Sequence, residues 1–156
     1  TVLRNNWYTE NYAGQVDAAA ATGELVGSAA AGRVASASRK DYAEAAAVVL
    51  TTDGHEGAVY ELGGDVAWTF DDLAATVGEL LGRPVDYRSV TPDEHVAALR
   101  EAGLDEGTAG FVVALDGNIR DGALAEVTGT LSELIGRPTT SLAIGLAEAR
   151  GTSAAA

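Results

Sequence analysis

An α/β fold is the class this sequence predicts, on three observations. Short runs rich in β-favouring residues alternate with stretches of helical periodicity along the whole chain. The connections between them are short, and no internal repeat or linker interrupts them. The 156 residues are 47% hydrophobic and 21% charged, the balance of a packed domain rather than a disordered chain. Aromatic residues make up only 6%, so the interior has to be built mainly from Ala, Val and Leu.

The elements follow in order. Thr1-Val2-Leu3 reads as the end of a buried strand. The polar, aromatic run 4–12 leaves it as a loop or short helix. Residues 13–21 are Ala-rich and helix-prone, closed by Thr22-Gly23. Residues 24–26 and 33–36 are short strands on either side of a small-residue loop. Ser38 stands where a helix cap is needed, with Asp41 three positions on. Tyr42, Ala45, Ala46, Val49 and Leu50 then recur at helical spacing and form the expected buried stripe. After a turn at 53–57, Val59 and Tyr60 suit a pleated, half-buried strand over 58–62, which Gly63-Gly64-Asp65 ends.

Thr69 opens the clearest helix, with Asp72 at the third position and Phe70, Leu73, Ala74, Val77, Leu80 and Leu81 on one face; Gly82 and Pro84 close it. Residues 85–90 make a strand. Thr91-Pro92-Asp93-Glu94 is a strong helix start, with a capping residue, Pro at the first helical position and Glu at the third. Val96 and Leu99 are expected to face inward. Residues 105–127 are less regular, and the apolar run 111–115 suits helix or strand equally. Residues 131–135 form a short helix ending at Gly136-Arg137-Pro138, and 141–150 a last helix. One region over 1–150 is therefore expected, with 151–156 as a frayed tail.

The formal net charge of −13 repels phosphate backbones and anionic membrane surfaces, so neither nucleic acid nor membrane is an expected partner. The absence of Cys removes disulfides, thiol nucleophiles and cysteine-bound zinc, and no His or acid stands at metal-ligand spacing, so no metal is expected. No apolar run approaches the roughly 20 residues of a membrane span, and no basic segment leads an apolar one at the start. A cytoplasmic location is the expectation. The Ala, Gly and Arg usage suggests a bacterial gene. There is no Met, and Thr1 begins an apolar run: removal of an initiator Met before Thr1 is one reading, and a chain that begins within a domain fits at least as well.

The chemistry-bearing residues concentrate in Arg4-Asn5-Asn6-Trp7-Tyr8-Thr9-Glu10-Asn11-Tyr12. The run follows a strand, and in open α/β sheets ligands sit beyond the carboxyl ends of strands. Amide and phenol groups there suit a carbonyl-bearing ligand, and the rings suit a planar one. The same residues equally suit a surface turn whose Asn side chains bond to the local backbone. Glu10 reads as a helix-dipole acid rather than a general acid, Asp71-Asp72 and Asp93-Glu94 as caps, and His55 and His95 as solvated structural residues. Ser36, Ser38, Arg39 and Asp41 form a second polar group. Tyr42 has no Lys four positions on, so the Tyr-x-x-x-Lys pair of ordinary short-chain dehydrogenases is absent. No Gly-rich dinucleotide-binding turn and no nucleophile elbow occurs.

These residues resemble a family. Leu3-Arg4-Asn5-Asn6-Trp7-Tyr8-Thr9-Glu10-Asn11-Tyr12 looks like the central signature of the NmrA-like atypical short-chain dehydrogenase/reductase family, in particular its type 2 NAD(P)H:quinone oxidoreductases. The likeness continues through Val34-Ala35-Ser36-Ala37-Ser38-Arg39, Asp41-Tyr42-Ala43, Gly54-His55-Glu56-Gly57 with Val59-Tyr60-Glu61-Leu62, and Leu131-Ser132-Glu133-Leu134-Ile135-Gly136-Arg137-Pro138-Thr139-Thr140, in family order across almost the whole chain. The resemblance implies the C-terminal portion of a Rossmann-type fold with its small α/β substrate lobe, the N-terminal dinucleotide-binding half being absent. It implies NADPH or NADH as cofactor in the complete parent, and hydride transfer to a quinone.

By the same resemblance Asn11 is the catalytic residue, orienting or polarising a quinone carbonyl. Asn5, Asn6 and Trp7 run beside the nicotinamide, and Tyr8, Tyr12 and Phe111 line the substrate cleft. Asn6 stands where relatives often have Gly, and Asn tolerates positive φ better than most residues. The region 110–128 departs most from the family pattern. A non-catalytic, dinucleotide-sensing regulator or a remodelled small-molecule binder is the alternative. The chain alone is expected to be inactive and to be unstable, to self-associate as a homo-oligomer, or to need the other half in trans.

Overall fold

The computed structural model describes residues 1–151, and most of the tail expected to fray at 151–156 lies outside them. The expected α/β class forms: parallel strand pairs alternate with helices. The chain divides into two compact units, neither of them a continuous stretch. The first holds Thr1–Gly14, Val34–Ala67 and the chain from Glu126 onward; the second holds Gln15–Arg33 and Trp68–Ala125.

In the first unit, β1 (Val2–Asn5) pairs in parallel with β4 (Val59–Leu62), Val2 opposite Val59 and Asn5 opposite Leu62. The ladder runs one step further, where Asn6 N donates to Leu62 O at 2.8 Å. Sequence reading places the start of the chain in a buried strand. Instead Val2 is 49% exposed and Val59 52%, because the two strands form a pair and not part of a wide sheet. The core lies on their other side chains and on α2 (Arg39–Thr51) and α6 (Thr130–Ile135): Ala37, Tyr42, Ala45, Leu62, Leu131 and Ile135 are buried together, with Leu3, Tyr8, Tyr60 and Leu134 packed against them. The stripe expected on α2 stops early. Leu50 is 84% exposed. A helix of six residues spans about 9 Å, so α6 covers only the first turns of the longer α2.

Gly63 and Gly64 end β4 for a packing reason. A Cβ on Gly64 would lie 2.1 Å from Ser36 O, so the backbones approach too closely there for a side chain, and one on Gly63 would lie 3.2 Å from Glu126 O, a tight fit.

Asp41 is the polar centre of this unit. Its side chain is wholly buried and accepts from Arg137 Nη2 at 2.8 Å, Thr140 N at 2.9 Å and Thr140 Oγ1 at 3.0 Å. Its own N–H donates to Ser38 Oγ at 3.1 Å, the expected cap of α2. Burial pushes the Asp41 carboxyl up, but the bonds from Thr140 N, Arg137, Ser38 and Thr140 Oγ1 outweigh it and hold the group below the usual carboxylate range. The segment 137–140 is thereby tied to α2 and leads into α7 (Leu142–Ala149), which packs on a 3-10 helix at Thr9–Tyr12.

The second unit is built from α1 (Ala13–Thr22) from Gln15 onward, the parallel pair β2 (Glu24–Gly27) and β6 (Asp86–Ser89), α3 (Phe70–Leu81), α4 (Pro92–Glu101) and α5 (Glu106–Arg120). Two-residue strands β3 (Arg33–Val34) and β5 (Trp68–Thr69) complete the chain. Both expected capping boxes form. Thr69 N donates to Asp72 Oδ2 at 2.8 Å while Asp72 N donates to Thr69 Oγ1 at 3.2 Å, and Thr91 with Glu94 repeats the exchange at 2.8 and 3.3 Å. Gly82 ends α3 in the left-handed region at φ 65°. Phe70, Leu73, Ala74 and Val77 are buried as the periodicity predicts. The run 111–115 resolves as helix within α5. On α4 the fully buried residue is His95, while Val96 and Leu99 are half-buried, a correction to the reading of His95 as solvated.

Removing the buried charge tests the role of Asp41. Asp41→Asn is expected to lower the chain's unfolding free energy at pH 7 by about 1–3 kcal/mol, the cost of weakened bonds at a buried site. A carboxyl held low in the folded state stabilises fully above its ordinary value of about 3.9 and loses that contribution as pH falls through the lower folded value. Urea unfolding from pH 7 to 2.5 should therefore show the wild-type advantage intact at pH 5 and shrinking below about pH 4. A difference that stays constant across that range would mean that the charge is not what matters.

Candidate active site

The expected cluster sits at the carboxyl end of β1 and in the 3-10 helix that follows. Two of its Asn residues behave as turn formers. Asn6 Oδ1 accepts from Trp7 N at 2.7 Å. Among the described residues Ala30 is the sole non-glycine with positive φ, so Asn6 holds its place through this side-chain contact and not through a left-handed backbone. Asn5 is exposed, and its Nδ2 reaches Tyr8 Oη at 3.4 Å. Trp7 is half-buried, and its carbonyl accepts from Ala37 N at 3.2 Å and from Tyr42 Oη at 3.4 Å.

Tyr8 is clamped from two sides. Its ring meets Tyr42 edge-on at 5.4 Å, and the Arg39 guanidinium lies 4.5 Å from its centroid. Tyr42 itself is buried, and that burial, with the neighbouring Tyr8, pushes its phenol well above the ordinary value. It is a hydrogen-bond donor held neutral, not a tyrosine prepared to give up its proton.

Arg39 organises the rest. Its Nη2 donates to Asn11 Oδ1 at 3.0 Å, and its backbone N–H donates to Glu10 Oε1 at 2.8 Å. Arg carries donors only, so the Asn11 amide must turn its oxygen to Arg39. Asn11 is exposed, and its Nδ2 has no partner among the described residues. The arrangement thus presents one oriented N–H₂ donor, suited to a carbonyl oxygen. Glu10 does serve a helix N-terminus, but that of α2 rather than of its own segment.

Tyr12 is buried at 3% exposure, while Phe111 is 65% exposed on α5 in the second unit. Asn5, Asn6, Trp7, Tyr8, Asn11 and Tyr12 are together in the first unit. Sequence reading missed Arg39 as the residue that orients Asn11, because the contact spans 28 positions with no local pattern. It also missed a buried Ser28, His95 and Asp116 group in the second unit. A signal for Asp116 existed: with Ala109 and Ile119 it falls on the inward stripe of its helix. Among the described residues no group of His, Cys, Asp or Glu is placed to hold a metal, and no helix is long and apolar enough to cross a membrane.

No protein-family model matches the chain. It is 46% identical over 143 residues to quinone oxidoreductase 2 of Escherichia coli K12, covering 92% of this chain and 50% of that protein. The structure of the E. coli NADPH-dependent quinone oxidoreductase complexed with NADPH superposes with a TM-score of 0.88 at 44% identity, covering 93% of this chain and 51% of the other. The Citrobacter triphenylmethane reductase complexed with NADP(H) superposes with a TM-score of 0.88 at 34% identity, covering 94% and 51%. The chain spans about half the length of the relatives it matches.

Arg39→Ala should release the Asn11 side chain. In a ¹⁵N-correlated NMR spectrum the two Asn11 amide protons are expected to lose most of their separation in shift from free amides, whereas Arg39→Lys should retain part of it. Unchanged Asn11 resonances in Arg39→Ala would remove Arg39 from this role.

Proposed function

We propose that this chain, which belongs to the NmrA-like atypical short-chain dehydrogenase/reductase family, forms the substrate-side half of an NAD(P)H-dependent quinone oxidoreductase. The observation that carries this reading is the oriented amide of Asn11, its oxygen held by Arg39 and its nitrogen uncommitted. Similarity to quinone oxidoreductase 2 supports it.

The residues present fit the nicotinamide end of such a cofactor and not its pyrophosphate end. Asn5 is an exposed amide at the carboxyl end of a parallel strand, with donor and acceptor atoms that match a carboxamide. Asn6 and Trp7 continue that edge. A pyrophosphate needs a Gly-rich turn at a helix N-terminus, and the 156 residues contain none. Bound NADPH or NADH would supply the hydride. Asn11 Nδ2 donates to a quinone carbonyl oxygen, and the bond strengthens as negative charge develops there during reduction. Tyr8, stiffened by Tyr42 and Arg39, offers a ring for the quinone to lie against, and Tyr12 is buried on the same short helix that carries Asn11. Tyr42 keeps its proton throughout.

In the complete parent, Asn11→Ala is expected to lower kcat for NADPH-dependent benzoquinone reduction by about 10²–10³, the usual cost of losing a donor to developing charge, with the KM for NADPH little changed. Calorimetric titration of the present chain with NADPH and NADH should show no binding. Full turnover in Asn11→Ala would sink the assignment of Asn11, and dinucleotide binding without turnover in the parent would favour a regulatory protein.

A further inference from the structure

The second unit buries a polar group that quinone reduction does not use. Ser28 follows β2, His95 lies in the first turn of α4, and Asp116 lies in α5; their exposures are 2%, 4% and 5%. Asp116 Oδ2 accepts from Ser28 N at 2.6 Å and from Ser28 Oγ at 3.1 Å, and it stands 3.1 Å from His95 Nδ1. Ser28 Oγ is also 3.2 Å from the same ring nitrogen.

This is not a hydrolytic triad. A nucleophile relay needs the hydroxyl and the carboxylate on opposite nitrogens of the imidazole, and here both meet Nδ1. The carboxylate can only accept, so Nδ1 carries the proton that faces it, and in that tautomer Nε2 is the acceptor nitrogen of the imidazole. Nε2 has no partner among the described residues, nor is it sealed among the buried orphan atoms.

His95 and Asp116 both line a cavity of about 260 Å³ within this unit. Most of its wall is apolar, including Ala18, Leu25, Phe70, Leu99 and Val112. An apolar cavity of roughly 150 Å³ is enough to admit benzene, so this one has room for a single ring with a short substituent. A buried imidazole of that tautomer, lining a largely apolar cavity and with Nδ1 already bonded, favours a molecule that brings one donor. A carbonyl would set acceptor against acceptor. A carboxylate would add a second negative charge beside Asp116.

We propose that this cavity is a binding site for a small phenol-like molecule, its ring against the apolar wall and its hydroxyl donating to His95 Nε2. The site involves neither Asn11 nor Arg39 and does not depend on the reading of the first unit.

The test is titration of the chain at pH 8 with p-cresol, toluene and benzoate, following the His95 ring nitrogens by NMR. The expected result is that p-cresol binds about 3- to 10-fold tighter than toluene, the worth of one net hydrogen bond, shifts Nε2 and leaves Nδ1 little changed, while benzoate does not bind. Ala98→Phe fills the cavity and leaves the polar group intact, and it should abolish binding of both ligands. His95→Phe should erase the preference for p-cresol over toluene. Equal binding of toluene and p-cresol, preference for benzoate, no saturable binding, or binding unaffected by Ala98→Phe would each overturn the proposal.

Discussion

The carboxylate of Asp41 holds the first unit together. It has no solvent contact, and three donors from the segment 137–140 converge on it. Those donors are not near in sequence, so satisfying one buried charge closes a long loop of chain. The position of 137–140 sets the start of α7, and α7 bears on the 3-10 helix through Gly145, where a Cβ would stand 2.9 Å from Thr9 Cγ2. Thr9 is anchored in turn to Ser36, with 2.8 Å between their hydroxyl oxygens. Asn11 is carried on that same short helix. The oriented amide at the surface thus rests on a sequence of contacts that begins at a carboxylate in the interior.

Burying a carboxylate is costly unless its oxygens are filled. Both units meet that requirement in one way: a backbone N–H and a hydroxyl from a single residue bond to the acid, Thr140 on Asp41 and Ser28 on Asp116. They differ in the third partner. Arg137 is a permanent cation at the edge of the first unit, shared with Glu44, and completes the neutralisation there. His95 is a titratable ring in the interior of the second, with one nitrogen still to be satisfied. The first arrangement has finished its hydrogen bonding and serves the fold. The second has not, and it faces a cavity.

Arg39 shows how a surface residue acquires a role without a local signature. It begins a helix, so its backbone N–H is one of the orphan donors and is taken by Glu10. Its side chain lies across Tyr8 and reaches Asn11. Three residues of the aromatic and amide cluster are therefore organised by one cation from the second polar group.

The alternation of strands and helices, both capping boxes, the Gly82 stop and the α3 core face were legible in the residues, because each depends on interactions within a few positions and on a fixed helical or strand period. The cluster 4–12 was legible as a candidate site for a similar reason: amides and aromatics beyond a strand end in an α/β chain are local information. Burial was not legible. Leu50 and His95 exchanged their expected places, since exposure depends on how far α6 reaches along α2 and on what faces α4. Nor were the pairings of Arg39 with Asn11, of Asp41 with 137–140, or of Asp116 with Ser28 and His95. Each joins side chains separated by tens of residues, and only the packed chain brings their donors and acceptors within 3 Å or so.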